Sequence, residues 1–371
     1  MKLTKINLIN FRNFSNINIK LGNHMNIFIG NNAQGKTNIL EAITILALTK
    51  SHRLGVNPNI IMFHKKKCQI KGNVKRDRIV SKLEIEVTDN LKRLMINHTN
   101  VRKVADYISN LNVIVFTPDD LEIVKGSPNT RRNLLNIQLS QISKIYLNTY
   151  NEYNKILKTR NEYLKVLFQN NIADKNYLDI ITEKLIEKAV IIYQKRKEYI
   201  DFINQNIDQY YQSITGDCGL KIIYQPNIEI DDYTSDNLKK ILKNKFSKNY
   251  YKELNYGMTI YGPHRDDFSF LFQGNDLKYF GSQGQQKVSI LAFKLSEIDI
   301  FNVQCGTMPL LLLDDIFSEL DIKKRNCLLK FINNRDIQTI ITTTDLRNIN
   351  KKYLNGAYIY KVKDGTIEES R

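Results

Sequence analysis

Gly30-Asn31-Asn32-Ala33-Gln34-Gly35-Lys36-Thr37 constrains this chain more than any other stretch of it. The apolar positions before it, ending in Ile27 and Ile29, read as a strand. Those after it (Ile39, Leu40, Ile43, Ile45, Leu46, Leu48) read as a buried helix over about 36–49. Strand, glycine-rich turn and helix in that order are the setting in which G-x-x-x-x-G-K-[ST] cradles phosphate. Backbone N–H groups turn toward phosphate oxygens at a helix N-terminus. On that pattern residues Gly30, Asn31, Asn32, Ala33, Gln34 and Gly35 form the cradle. Lys36 neutralises the β- and γ-phosphates of ATP, and Thr37 holds Mg²⁺ through its hydroxyl.

The acidic half of such a site lies near the other chain end. Leu310 to Leu313 form a continuous apolar run, as expected of a strand buried on both faces, and Asp314-Asp315 follow. Beside a P-loop, Asp314 is the expected Mg²⁺ ligand and Asp315 the group that orients or deprotonates the attacking water. Two acids capping the next turn are the alternative reading. Because the two motifs lie nearly the whole chain apart, both ends must fold together around whatever lies between. Thr339 to Thr343 reads as a further buried strand.

What lies between is helical. Proline is absent between Pro128 and Pro226, and glycine is absent from Lys144 through Thr215. Apolar residues recur every three or four positions from Leu135 to Leu167 and again from Leu178 to Ile214, with a polar break at about 170–176. The pattern predicts a hairpin of two long helices, either an ordinary subdomain or a functional arm. The expected fold class is α/β: a head over 1–129 and 251–371 that resembles the ABC-type P-loop ATPase head, with an α-helical insertion over 130–250.

Charge adds a partner. The chain carries 55 Lys+Arg against 38 Asp+Glu, a formal net charge of +17, which favours polyanions; a chain so rich in Ile, Asn and Lys could also reach that balance by composition alone. Basic turns stand out at Lys65-Lys66-Lys67 and over Lys71 to Arg78. Four scattered cysteines make neither a disulfide framework nor a metal cluster and fit a reducing cytoplasm. No apolar stretch approaches the roughly 18 residues of a membrane helix. Met1-Lys2-Leu3 runs straight into a strand pattern, so no signal peptide is expected.

Ser282-Gln283-Gly284-Gln285 precedes a helix bearing Val288, Leu291, Ala292 and Leu295. It resembles the ABC signature motif, in which Ser282, Gly284 and Gln285 would meet the γ-phosphate of ATP held by another subunit. A plainly N-capped helix is the alternative. Ser318-Glu319-Leu320-Asp321 is similar to the D-loop of such dimers.

The wider pattern resembles the bacterial RecF family of ABC/SMC-like ATPases. It is carried by Leu8 to Asn13, Ile29 to Asn38, Ser51-His52-Arg53, Phe116 to Asp119 through Gly126-Ser127-Pro128 to Arg131-Arg132, Gly262 to Asp267, and Asp314 to Asp321. That resemblance covers nearly the whole chain. It implies an ATP-dependent homodimer that binds single-stranded and gapped duplex DNA, works with RecR- and RecO-type mediators, and promotes recombinase loading and the SOS response. Hydrolysis would be weak and DNA-dependent, a switch that releases DNA. Among rival readings, a Rad50/SMC-like DNA-organising ATPase needs a longer coiled coil, since about 35 residues of helix span only some 50 Å. An ABC transporter subunit seldom carries this charge balance, and an OLD-type nuclease needs a further acidic domain.

Three departures accompany the resemblance. Thr344 stands where many ABC ATPases carry a switch histidine. Asn136 stands where an acid is expected after the paired arginines, predicting a missing ion pair. Asp315 replaces a common glutamate, and its shorter side chain predicts slow turnover. His264 invites a general-base reading, but no nucleophile or metal partner accompanies it, which favours a structural or gating role. Arg12 and Arg53 are candidates for phosphate contacts of ATP or DNA, against the alternative of solvated surface arginines.

Overall fold

The computed structural model describes residues 1–51, 60–170, 175–346, 350–354 and 356–369, which fall into two compact units. One comprises Met1–Asp120, Tyr210–Gly216 and Leu291–Arg371; the other comprises Leu121–Gln209 and Asp217–Ile290.

The first unit begins with β1 (Lys2–Phe11), β2 (Phe14–Lys20), β3 (Met25–Ile29) and α1 (Lys36–Leu48). It continues through β4 (Lys67–Arg76), β5 (Ile79–Thr88), β6 (Lys92–Ile96), β7 (Thr99–Asn100), α2 (Val104–Tyr107) and β8 (Val113–Phe116). The second unit holds α3 (Leu121–Lys125), α4 (Pro128–Ile142), α5 (Lys144–Asn170) and most of α6 (Lys175–Thr215). After these come β9 (Leu220–Gln225), α7 (Ser235–Lys248), α8 (Tyr250–Tyr256), β10 (Asp267–Phe272), β11 (Asn275–Asp276) and α9 (Leu277–Phe280). Helix α10 (Gln283–Cys305) carries the chain back to the first unit. There follow β12 (Leu310–Asp314), α11 (Ile316–Glu319), α12 (Ile322–Asn333), β13 (Thr339–Thr343), α13 (Lys351–Leu354), β14 (Tyr358–Lys363) and β15 (Thr366–Glu369).

Two six-stranded sheets build the first unit. One is antiparallel, in the order β2-β1-β4-β5-β6-β7; the other runs β15-β14-β3-β13-β12-β8 and is parallel from β14 to β8. Every residue of β12 and β13 is buried, which is why Leu310–Leu313 and Thr339–Thr343 read as unbroken apolar or β-branched runs. Helix α1 touches strands of both sheets, and Ile39 through Ala47 are all inaccessible to solvent. A helix apolar on nearly every side is what such a position demands, and the two polar residues in that stretch, Glu41 and Thr44, are both hydrogen-bonded.

The helical seam of the second unit divides sooner than its periodicity suggests. Ser143 adopts φ −132° and ψ 110° between α4 and α5, and its hydroxyl accepts the Tyr146 N–H at 3.2 Å, capping the new helix. Residues 171–174, where the joining turn is expected, lie outside the described residues. Residues 251–290, placed with the head on sequence grounds, instead group with the helices: α8 packs on α5, and β10 pairs antiparallel with β9.

Buried arginines tie distant segments of this unit to one another. Arg160, 2% exposed at its side chain, donates to Thr182 Oγ1 (2.8 Å), Thr259 Oγ1 (2.8 Å) and Glu253 Oε2 (2.7 Å). Its guanidinium also lies 4.7 Å from the Phe246 ring centre. Removing one partner of a buried pair strands the other charge in low dielectric, at a cost of about 3–5 kcal/mol. Arg160→Met and Glu253→Gln should each lower the unfolding free energy obtained from urea titration by an amount in that range, and the double variant should cost less than the sum. Additive losses would show that the two side chains act independently.

Candidate nucleotide site

The glycine-rich turn joins β3 to α1 in the first unit. At Gly30 a Cβ would sit 2.3 Å from the Val362 carbonyl oxygen of β14, so no other residue fits without backbone movement. Gly35 ends the turn at φ 105°, in the left-handed region that only glycine enters freely. No side chain caps the start of α1 and its first turn carries no acid, so the positive end of the helix stays open. Asn31, Asn32 and Ala33 are exposed, with Gln34 and Gly35 half-buried.

The turn is fastened from two directions. Asn13 Nδ2 donates to the Gln34 carbonyl (3.0 Å) while its Oδ1 accepts from Asn38 Nδ2 (2.9 Å). On the other side, Gln34 Oε1 accepts the Asp364 N–H at 2.6 Å. Lys36 Nζ folds back on the carbonyls of Gly30 (2.6 Å) and Asn31 (2.8 Å). Burial pulls the Lys36 ammonium below its ordinary pKa, and the carboxylates of Asp315 and Asp314 oppose that pull.

The acidic residues meet this turn through strand register. Asp314 lies opposite Thr342, and Thr343 opposite Ile29, so β12, β13 and β3 all end at the level where the glycine-rich turn begins. Ligand sites of open parallel sheets lie at such carboxyl ends. Thr37 Oγ1 donates to Asp314 Oδ1 at 2.9 Å, and Thr342 Oγ1 donates to the same oxygen at 2.7 Å. Asp315 sits at φ 46°, and its N–H reaches Thr342 Oγ1 at 3.0 Å. Thr342 therefore orders both acids. Within β13 it looked like one more β-branched strand residue, and only the register reveals its hydroxyl.

Arg12 makes a bidentate pair with Glu41 of α1 (Nε–Oε2 3.0 Å, a terminal nitrogen to Oε1 2.8 Å), and Ser51 Oγ donates to the same carboxylate at 2.6 Å. Glu41, the one charged residue between Lys36 and Lys50, was the available sequence signal for that pair, and its side chain is wholly buried. His52 and Arg53 lie outside the described residues.

Ser282, Gly284 and Gln285 belong to the second unit. Ser282 Oγ accepts the Gln285 N–H (3.2 Å) and Gln285 Oε1 accepts the Ser282 N–H (2.9 Å), a reciprocal capping box. Ser282 and Gly284 are exposed. A Cβ at Gly284 would meet only Ser282 Oγ at 3.9 Å, so local packing does not require glycine there. Asp321 caps α12 by accepting the Lys324 N–H at 2.9 Å, and Thr344 is exposed just beyond β13.

The Gly262 to Asp267 segment is structural in its contacts. Asp267 takes a bidentate pair from Arg131 (2.6 and 2.8 Å), and Asp266 pairs with the buried Arg196 at 2.9 Å. The ion pair expected to be missing at Asn136 is thus supplied from elsewhere. Asn136 Oδ1 accepts from Arg196 (2.9 Å) and from the Tyr146 hydroxyl (2.7 Å). His264 lies between the Tyr153 hydroxyl (2.6 Å to Nδ1) and the Thr259 carbonyl (3.2 Å to Nε2). A carbonyl only accepts, so Nε2 carries the proton and Nδ1 receives the tyrosine O–H.

Comparison with known proteins sets this geometry in a class. Residues 2–368 match the family model described as the RecF/RecN/SMC N-terminal domain. The Smc head domain of Pyrococcus furiosus has the same fold, with a TM-score of 0.55 at 14% identity over 99% of this chain and 95% of that one. Within the class the likeness narrows. The DNA replication and repair protein RecF of Listeria welshimeri is 38% identical over 371 residues, all of both chains. That of Staphylococcus aureus is 37% identical over 99% of this chain and all of its own. A solved structure described as the recombination mediator protein RecF-ATP in the RecFOR pathway superposes with a TM-score of 0.91 at 30% identity, over 100% of this chain and 97% of that one. The chain belongs to the RecF family.

Burial lowers the pKa of His264 from 6.5 to about 4. The unfolded chain then binds more protons than the folded one between those values, so stability should fall as pH drops from about 6.5 toward 4. The slope for one proton is roughly 1.4 kcal/mol per pH unit. Urea midpoints measured across that range should show it in the native chain and lose it in His264→Gln, which cannot titrate. Parallel profiles for the two proteins would remove His264 as the origin.

Proposed function

We propose that this chain is an ATP-driven DNA-binding switch of recombinational repair and replication, closing as a homodimer around two ATP molecules and acting with RecR- and RecO-type mediators. The observation that carries the reading is the hydrogen bond from Thr37 to Asp314, which joins residues from opposite chain ends directly at the phosphate turn. The relatives' names, and the ATP and RecFOR pathway of the solved RecF structure, support the nucleotide, repair and mediator parts. The +17 charge supports the DNA part, through neutralisation of phosphates by surface lysines. Single-stranded and gapped DNA, recombinase loading, the SOS response and a cytoplasmic setting follow from the family reading. Among the described residues no helix is long and apolar enough to cross a membrane.

The residues suit ATP and Mg²⁺. Backbone N–H groups of the turn after Gly30, whose own N–H donates to the Thr343 carbonyl, and the uncapped start of α1 offer donors to phosphate oxygens. Lys36 exchanges the carbonyls of Gly30 and Asn31 for the β- and γ-phosphates. A threonine hydroxyl and an aspartate carboxylate on one hydrogen bond form the hard oxygen donor set that Mg²⁺ prefers, so Thr37 and Asp314 would hold it. When bound, the ion neutralises charge on those phosphates. Asp315, fixed at its own N–H by Thr342, orients the attacking water. The exposed Ser282 and Gly284 of a second copy close the γ-phosphate side.

Mixing separates the dimer reading from a monomeric one. Lys36→Ala destroys a P-loop, and Ser282→Arg blocks the helix start it would face. Each variant alone should neither dimerise with ATP nor hydrolyse it, whereas a heterodimer of the two keeps one intact composite site. Light scattering and hydrolysis should recover partially on mixing; no recovery would end the composite-site reading.

Asp315→Asn should retain ATP and Mg²⁺ through Lys36, Thr37 and Asp314, yet slow turnover by roughly 10²- to 10⁴-fold, the range of a lost general base. Unchanged turnover would move that role to another group.

A further inference from the structure

Residues Ile60 to Lys67 leave the core along a path fixed by the first sheet. Ile60 is 2% exposed, Ile61 bridges to Phe11, and Met62 N–H donates to the Asn10 carbonyl at 2.8 Å. Lys65 N–H then donates to the Met62 carbonyl at 3.0 Å, closing a four-residue turn. With His64 at φ 63° and Phe63 outside the positive region, this is a type II turn. A histidine at that φ is strained, and the turn nonetheless holds Phe63 outward, 83% exposed, with its ring centre 4.0 Å from that of His64. A phenylalanine held outward on a pinned turn presents a ring on which a flat π face can stack.

Its surroundings are basic. Lys65, Lys66 and Lys67 are exposed, and among the described residues neither Lys65 nor Lys66 has an ion-pair partner. Register places Lys67 opposite Thr88 and Val87 opposite Lys92, which brings Leu91, Lys92 and Arg93 to the same sheet end. Lys50 lies near enough to lower the Lys92 pKa further, after burial. Glu86 is shared by Lys67 (3.8 Å) and Arg93 (3.7 Å). A second copy docking this face on itself would bring like charges together. A duplex buries its base faces in its own stack. A single strand offers both phosphates and an open π face.

We propose that Phe63 stacks on an unpaired base of single-stranded DNA whose phosphates run along Lys65, Lys66 and Lys67. The proposal rests on the DNA-binding reading and deepens it, assigning strand preference to one side chain.

The chain contains no tryptophan, so Phe63→Trp installs a single emitter at the site. Its emission should be quenched by a saturating single-stranded oligonucleotide and little changed by a blunt duplex of the same sequence. Anisotropy of labelled DNA with the full chain should show Phe63→Ala weakening single-strand binding by roughly 5- to 100-fold. Duplex affinity and the salt slope should stay as in the native chain. The triple Lys65→Glu, Lys66→Glu, Lys67→Glu variant should weaken both DNAs and flatten the slope. Equal loss on both DNAs in Phe63→Ala, no loss on single strands, or unquenched Phe63→Trp emission would overturn the proposal. A dimerisation defect with unchanged single-strand affinity would give the ring to a second copy and overturn it equally. Native protein that binds neither DNA fails the DNA-binding reading itself; steep salt-dependent binding indifferent to Phe63 fails the stacking alone.

Discussion

Parallel pairing of Leu310–Asp314 with Thr339–Thr343, and of Thr339–Thr343 with Met25–Ile29, is the constraint on which the site depends. It aligns three strand ends, so that the glycine-rich turn leaving Ile29 meets the carboxylate ending β12. Parallel neighbours cannot be joined by a tight turn and need a crossover. Here β12 also pairs parallel with Val113–Phe116, so everything from Thr117 to Pro309 is one crossover connection in that sheet. The helical unit is thus an elaboration of an obligatory link, and it leaves the order of the central strands intact.

That long connection has its own internal supports. Arg131, Arg160 and Arg196 each take a carboxylate from the stretch between residues 253 and 267, which ties the sequence after α7 to the long helices before it. Arg160 and Arg196 with their partners are almost wholly buried, an arrangement that adds little net stability but penalises any packing that leaves a charge unmet. The three pairs therefore specify which segments meet more than they strengthen the unit.

Two helix starts show how differently the fold treats its backbone donors. That of α1 is left without a side-chain cap behind Gly35, whereas α10 begins with the reciprocal Ser282 and Gln285 cap. On the proposed reading the first keeps its N–H groups for phosphate. The second fixes the exposed Ser282 and Gly284 in place for another subunit's nucleotide, and pre-ordering of that kind lowers the entropy to be lost on closure.

Local pattern carried much of this protein. The glycine-rich turn, the buried α1, the strands β12 and β13, and the two long helices follow from glycine placement and apolar period, because those properties depend on a residue's near neighbours. The RecF resemblance was likewise visible in short blocks. Tertiary structure alone decided which distant groups met. Thr342 gained its place beneath Asp314 and Asp315 through strand register, and Arg12 met Glu41 because α1 lies against the first sheet. Asn136 lost an expected acid yet kept company with Arg196, whose charge Asp266 meets from 70 residues away. Residues 251–290 joined the helical unit through α8 packing and β10 pairing. Hydrogen bonds between segments far apart in the chain have no period and no fixed spacing, so a linear pattern can mark one partner, as it does Glu41, but cannot say which distant group it meets until the backbone has folded.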